Sequence, residues 1–218
     1  MAGYDGLVLD HDGVIVTLCQ RSVLREAAAF AFADAGIGDP RPEDVDTLTI
    51  RVLEDELRRV ANRYEIDPDE LWRYREDRID ATLRAATEAG SKAPYDDVTA
   101  IEHVDVPIGI ASNNQTRIVE FVLEHYGLRE RIETVHARSP TRESLQVKKP
   151  EPTFLEAAAA DLNATNPLYV GDSESDVVAG DRAGFDTVFL RRGHNADRRL
   201  EVEPTIELES LESVVELL

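Results

Sequence analysis

Short apolar runs and longer amphipathic stretches divide this chain into three parts. The first run, Leu7-Val8-Leu9, has the unbroken apolar character of a strand buried on both faces. It stops at Asp10-His11-Asp12-Gly13. Residues 19–92 then carry helical spacing alone. Ser22 opens one pattern through Val23, Ala27, Phe30 and Ala31 to Gly36, which stands where helices commonly end. A second begins at Glu43 and puts Ile50, Leu53, Leu57 and Val60 on one face. The third starts at Asp67-Pro68-Asp69-Glu70, with proline in the first turn and acids complementing the helix dipole. It carries Leu71, Trp72, Ile79 and Leu83 and ends near Gly90.

From Ala93 strands return. Val106–Ala111 is apolar and ends at Ser112-Asn113-Asn114, and a helix with Ile118, Val119, Val122 and Leu123 on one face follows. Ile132–Val135 is a weak strand, and residues 139–147 read as loop. Next come a helix over Thr153–Leu162, a strand over Pro167–Val170, a helix to Ala183 and a strand over Thr187–Leu190. Pro204-Thr205-Ile206 is extended, and Leu211–Leu217 is amphipathic. Strands alternating with helices predict an α/β fold, a Rossmann-like parallel sheet with helices on both faces. The expected domains are a discontinuous α/β core, residues 1–18 and 93–218, and an inserted all-helical domain, residues 19–92.

Composition narrows the function. The 218 residues are enough for one core or a core with a smaller companion, and 42% hydrophobic content marks a globular chain. No run approaches the ~18 apolar residues of a membrane span, and Asp5 stands where a signal peptide would be basic. A cytoplasmic protein is expected. Cys19, the single cysteine, has no internal disulfide partner and is expected to pack as a small apolar side chain. Acidic residues number 44 against 24 basic, a net charge of −20. Such a surface disfavours nucleic acid and anionic membranes, both of which need neutralising cations. It resembles the composition of halophilic archaeal proteins, and screening of that charge predicts stability that falls when salt is removed.

Four places carry candidate chemistry. Asp10 and Asp12 sit at the carboxyl end of the first strand, where open α/β sheets hold ligands. Their repulsion calls for a cation or a shared proton. Ser112 and Asn113, between a strand and a helix, offer an anion cradle or an ordinary helix cap. Lys148 and Lys149, two of only three lysines, precede Pro150-Glu151-Pro152; either suits phosphate as a point charge. Asp172 and Asp176 share a face at a helix start and suit either a hard cation or the helix dipole.

Taken together, Asp10-His11-Asp12-Gly13-Val14, Ser112, Lys149-Pro150-Glu151-Pro152 and Gly171-Asp172-Ser173-Glu174-Ser175-Asp176 resemble the four motifs of the haloacid dehalogenase superfamily. The helical insert is similar to the cap of its phosphoglycolate phosphatase-like subgroup. The resemblance implies a Mg²⁺-dependent phosphatase on a small phosphorylated metabolite. Asp10 would form an aspartyl-phosphate and Asp12 would act as acid and base. Asp10, the Asp12 carbonyl, Asp172 and Asp176 would hold the metal, while Ser112, Asn113 and Lys149 would hold phosphate. Lysine before proline in the family pattern selects Lys149. An acid at Asp12 points to phosphate esters, since the dehalogenases do not need one there. His11, in the variable place between the two acids, could face the substrate, but is expected to pack or to face solvent. Two alternatives share much of this chemistry: a phosphoglucomutase-like phosphotransferase, and a phospho-accepting signalling or binding domain without turnover. The arginines of the insert, among them Arg21, Arg51, Arg58 and Arg59, could meet an anionic leaving group or simply lie on a charged surface.

Overall fold

The computed structural model describes residues 3–218. It contains two compact units, one of residues up to 17, 93–137 and 147–218, the other of residues 18–92 and 138–146. The first unit is built on a six-stranded sheet in the order β3-β2-β1-β4-β5-β6. The strands are β1 (Gly6–Leu9), β2 (Ile108–Gln115), β3 (Thr134–Arg138), β4 (Pro167–Gly171), β5 (Asp186–Leu190) and β6 (Ile206–Leu208). β1 lies between β2 and β4, parallel to both, with Leu7 opposite Ile108 and Leu168. Every residue of β1 and β4 is buried, as expected for central strands covered on both faces.

Of the eight α-helices among the described residues, α5 (Thr116–His125), α6 (Thr153–Asp161), α7 (Glu174–Ala183) and α8 (Leu211–Val215) belong to this unit. Phe154, Leu155 and Ala158 of α6 and Ala179 of α7 pack with Val8, Ala111 and Tyr169 in one apolar cluster. The two segments at the border of the helical insert run side by side. Thr17 N–H donates to the Ala93 carbonyl at 2.8 Å, and Tyr95 N–H to the Ile15 carbonyl at 3.0 Å.

The second unit holds α1 (Arg21–Asp34), α2 (Pro42–Thr49), α3 (Glu54–Arg63) and α4 (Pro68–Glu88). Asp67 caps α4 through the N–H groups of Asp69 and Glu70, at 2.9 and 3.2 Å. The single helix expected from Glu43 onward is two. The chain breaks at Arg51, whose φ of 55° lies in the left-handed region, and α3 restarts with Glu54, Asp55 and Glu56 in its first turn. Ile50 and Leu53, expected on an apolar face, are exposed in the break.

Residues 138–146 also depart from expectation, in partition and in conformation. Placed by sequence in the α/β core, with 139–147 expected as loop, they pack with the helices, and Arg142–Gln146 forms a 3₁₀ turn. Leu145 joins a cluster with Trp72, Leu57 and Leu48. Arg138 reaches Glu76 Oε2 at 2.8 Å, and Arg142 pairs with Asp69 at 2.6 Å. Cys19 is half-buried, not enclosed. Arg58 and Arg59 make i,i+4 and i,i+3 pairs with Glu54 and Glu56 on the surface of α3, the bland reading of those charges. Among the described residues no helix is long and apolar enough to cross a membrane.

Candidate active site

Asp10 follows β1 directly, and its N–H donates to the Val170 carbonyl at 2.9 Å, so pairing with β4 continues one residue past the strand. The chain then turns sharply through Gly13, whose φ is +85°. A Cβ on Gly13 would meet Asp172 Oδ2 at 2.2 Å, so only glycine lets the first and fourth motifs approach this closely. Gly171 plays a matching part at the end of β4: a Cβ there would meet the Asp176 Cβ at 2.2 Å.

Lys149 is the hub. Its ammonium is buried and lies 2.9 Å from Asp10 Oδ1, 2.6 Å from Asp176 Oδ1, and 3.0 Å from both the Tyr169 hydroxyl and the Ala111 carbonyl. The Tyr169 hydroxyl donates to Asp176 Oδ1 at 2.6 Å and so accepts from Lys149. Lys148 is half-buried, so the structure separates the two lysines that local sequence leaves equivalent.

The end of β2 explains how one short segment serves two partners. β2 runs to Gln115, four residues beyond the expected end, so Ser112, Asn113 and Asn114 alternate across the sheet instead of capping a helix. Asn113 clasps the Lys149 backbone, donating from Nδ2 to its carbonyl at 2.9 Å and accepting its N–H on Oδ1 at 2.7 Å. Asn114, on the opposite face, donates from Nδ2 to Asp12 Oδ2 at 2.7 Å. Ser112 is buried, and its Oγ accepts the Asn114 N–H at 3.2 Å. Asp12 keeps 24% of its side chain exposed, while His11 is fully buried with Nδ1 at 3.3 Å from Asp12 Oδ2.

Asp176 caps a helix start, as one reading of its position expects, and also faces the lysine. Its Oδ2 accepts from the Ser173 N–H at 3.0 Å and the Ser173 hydroxyl at 2.5 Å, closing a capping box on α7. Its Oδ1 serves Lys149 and Tyr169. Asp172 Oδ2 lies 2.6 Å from His194 Nε2, and the Asp172 carbonyl accepts from Asn195 at 2.7 Å. Carboxylate oxygens of Asp10, Asp172 and Asp176 all lie within 4.8 Å of one another.

Crowding three acids around one lysine shifts their titration. Burial, reinforced by the charges of Asp176 and Asp172, pushes Asp10 up to about 8 despite Lys149. Burial also raises Asp172, against the pull of His194. Burial works against ionised Asp176 too, but Lys149, Ser173 and Tyr169 outweigh it and hold Asp176 low. Burial opposes the Lys149 charge, and the two carboxylates beside it prevail and hold its pKa high. So the cluster holds more acid than its cations neutralise. The donor set is entirely oxygen, which suits a hard divalent ion. Asp10, Asp172 and Asp176 therefore fit a magnesium site. Asp12 contributes no side-chain oxygen to that triad.

Tyr169, Asn114, His194 and Asn195 are not among the residues singled out by sequence. Tyr169 had a usable signal, since a tyrosine in a fully buried strand must find a partner for its hydroxyl. The other three depend on loop and strand-end geometry that local pattern does not encode.

The site thus gathers an aspartate at the end of a central parallel strand, a buried lysine and two further acids. The family model of the haloacid dehalogenase-like hydrolases matches residues 4–184, and the chain belongs to that family. It is 30% identical over 169 residues to (S)-2-haloacid dehalogenase of Pseudomonas sp. (strain YL), a match covering 77% of this chain and 69% of that protein. Phosphoglycolate phosphatase of Cereibacter sphaeroides is 34% identical over 87 residues, 40% of this chain and only 38% of that enzyme. The fold is shared with CbbY of Rhodobacter sphaeroides, solved in complex with xylulose-(1,5)bisphosphate. That likeness has a TM-score of 0.69, 16% identity, and covers 96% of this chain and 95% of that one.

Proposed function

We propose that this hydrolase is a magnesium-dependent phosphatase that acts in the cytoplasm on a small phosphomonoester through an aspartyl-phosphate at Asp10. One observation carries the reading. A half-exposed carboxylate, Asp12, stands two residues beyond a buried one that shares an acidic triad. A carbon–halogen bond breaks without protonation of the leaving halide, so a dehalogenase needs neither that acid nor a cation. A phosphate ester needs both, because an alcohol leaves poorly as an alkoxide and the phosphoryl oxygens carry charge.

In this mechanism an Asp10 oxygen attacks phosphorus as the ester P–O bond breaks, and Asp12 gives its proton to the departing oxygen. Asp12 then takes a proton from water, which attacks the aspartyl-phosphate and frees Asp10 and inorganic phosphate. Lys149, Ser112 and the main chain at Asn113 face the phosphoryl group, with Asn113 holding the lysine loop in place. Asp176 anchors Lys149 and, with Asp10 and Asp172, would bind the cation, the Asp12 carbonyl joining them. When bound, Mg²⁺ supplies charge neutralisation at the transferring phosphoryl group.

A phosphomonoester panel assayed with Mg²⁺ in concentrated KCl tests the reading. Phosphate release by the wild type and none by Asp10→Asn is expected. Chloride release from (S)-2-chloropropionate without phosphate release would reassign the chain to dehalogenation. Interconversion of sugar phosphates with little free phosphate would reassign it to phosphoryl transfer between sugars.

A further inference from the structure

Asn114 has no part in the chemistry assigned so far, yet it is fixed against the group that must move protons. Its Oδ1 accepts the Gln115 N–H at 2.8 Å, which settles the orientation of the amide. Nδ2 then faces Asp12 Oδ2 at 2.7 Å as a donor. The reverse orientation would set an amide oxygen against a carboxylate and an amide N–H against a backbone N–H. The strand geometry enforces the placement. Ser112 and Asn114 share a face of β2, and the Asn114 N–H is tied to Ser112 Oγ at 3.2 Å. Asp12 itself is tethered nearby, its loop closed by the Gly13 N–H to the Val16 carbonyl at 2.7 Å. His11 Nδ1 stands farther from the same oxygen, at 3.3 Å, so the Asn114 amide is the closer hold on a carboxyl group whose terminal torsion has a broad, two-fold preference.

Resting on the phosphatase reading, we infer that Asn114 is a positioning residue for the acid/base carboxylate. Its amide N–H holds Asp12 Oδ2 and directs the exchanged proton to the other carboxylate oxygen, Oδ1. In the first step the Oδ1 proton passes to the departing ester oxygen as the Asp10–phosphorus bond forms. In the second, Oδ1 regains a proton from the attacking water as that bond breaks. Asn114 acts on the proton, and so on the leaving group, and not on phosphate binding.

That distinction gives a readout that a purely structural role would not move. p-Nitrophenolate departs without a proton, whereas phenolate benefits from one. For Asn114→Ala, kcat/KM on phenyl phosphate is expected to fall about 10-fold, a fraction of a full general-acid contribution. On p-nitrophenyl phosphate the fall should stay within about twofold, because that ester draws little on the acid. Asn114→Leu keeps the approximate volume of the side chain and removes the donor to Asp12 without setting a charge beside it. It should show the same dependence on leaving group, which guards against a shift of the strand end into the cavity of the alanine variant. Equal losses on the two esters in Asn114→Leu would overturn the inference while leaving the phosphatase reading intact. No phosphate from either ester with the wild-type enzyme would overturn both.

Discussion

Two buried ionic clusters, one in each unit, have opposite surpluses. In the sheet unit, Asp10, Asp172 and Asp176 surround Lys149 with three acids to one ammonium. In the helical unit, Glu76 lies between two guanidiniums, Arg75 and Arg138, each stacked about 5 Å from the Trp72 ring. The helical cluster resolves its surplus internally. Arg75 donates to the carbonyls of Leu48 and Thr49, and Arg138 to the Ser144 hydroxyl and the Ser139 carbonyl. Cations with every fork directed at an oxygen make a clamp, holding residues 138–146 to α4. The sheet cluster has a surplus of acceptors, which hydrogen bonds cannot absorb and a dication can. Burial of charge alone therefore does not mark an active site. What marks it is the sign and amount of charge left over.

Single substitutions should separate the two clusters. Asp10→Asn should remove turnover by about 10³-fold or more, as losses of nucleophiles do. It should leave the melting temperature unchanged or raised, since it deletes one of three crowded acids. Glu76→Ala should do the reverse to stability. Two buried guanidiniums lose their carboxylate, which costs about 3–5 kcal/mol by urea denaturation. A fall in stability of Asp10→Asn as large as that of Glu76→Ala would erase the contrast.

Acidity offers a second separation, confined to the sheet unit. Folded Asp10 keeps its proton to about pH 8, whereas the unfolded group releases it near 3.8. Between those values the folded state binds the extra proton, so metal-free protein should lose stability as pH rises, by on the order of 1 kcal/mol per unit. Asp176, held low, works the other way, and its contribution is lost as pH falls through its folded value. Mg²⁺ should stabilise the protein more at pH 8 than at pH 5, since it competes with the Asp10 proton. Melting curves with EDTA or with Mg²⁺ at the two pH values measure this. An equal increment at both would mean that Asp10 is not a ligand.

The contrast also explains what could be read from sequence. Asp10 and Asp172 could be picked out because each stands where the local pattern places the end of an apolar strand, whereas Lys149 was separated from Lys148 only by its resemblance to the family's lysine before proline. The helical clamp could not, since Arg138 meets Glu76 across 62 positions of chain and nothing local distinguishes Arg138 from other arginines. Residues 139–147 read as loop because Arg142 and Leu145 find their partners on the helices, far away in the chain. The break at Arg51 was hidden by apolar positions that happened to keep helical spacing. Its only local sign was the acidic run Glu54-Asp55-Glu56. Asn114 stayed unnoticed because helix capping accounts for Ser112-Asn113-Asn114 equally well until β2 is seen to continue to Gln115.

The net charge of −20 sets the smallest of these effects and the sharpest control on the comparison. Surface repulsion acts through solvent, where the Debye length falls from about 10 Å at 0.1 M salt to about 3 Å at 1 M. Both buried clusters lie where such screening is weak. Raising KCl from about 0.1 to about 2 M should therefore lift the melting temperature by a few degrees through the surface alone. The penalty for Glu76→Ala should stay constant over the same range, as should the Mg²⁺ increment once ionic effects on free Mg²⁺ are held fixed. A melting temperature indifferent to KCl would remove the halophilic reading of the surface. A Glu76→Ala penalty that fades with salt would show that the clamp is reached by solvent, and would make the two clusters less alike in burial than their geometry indicates.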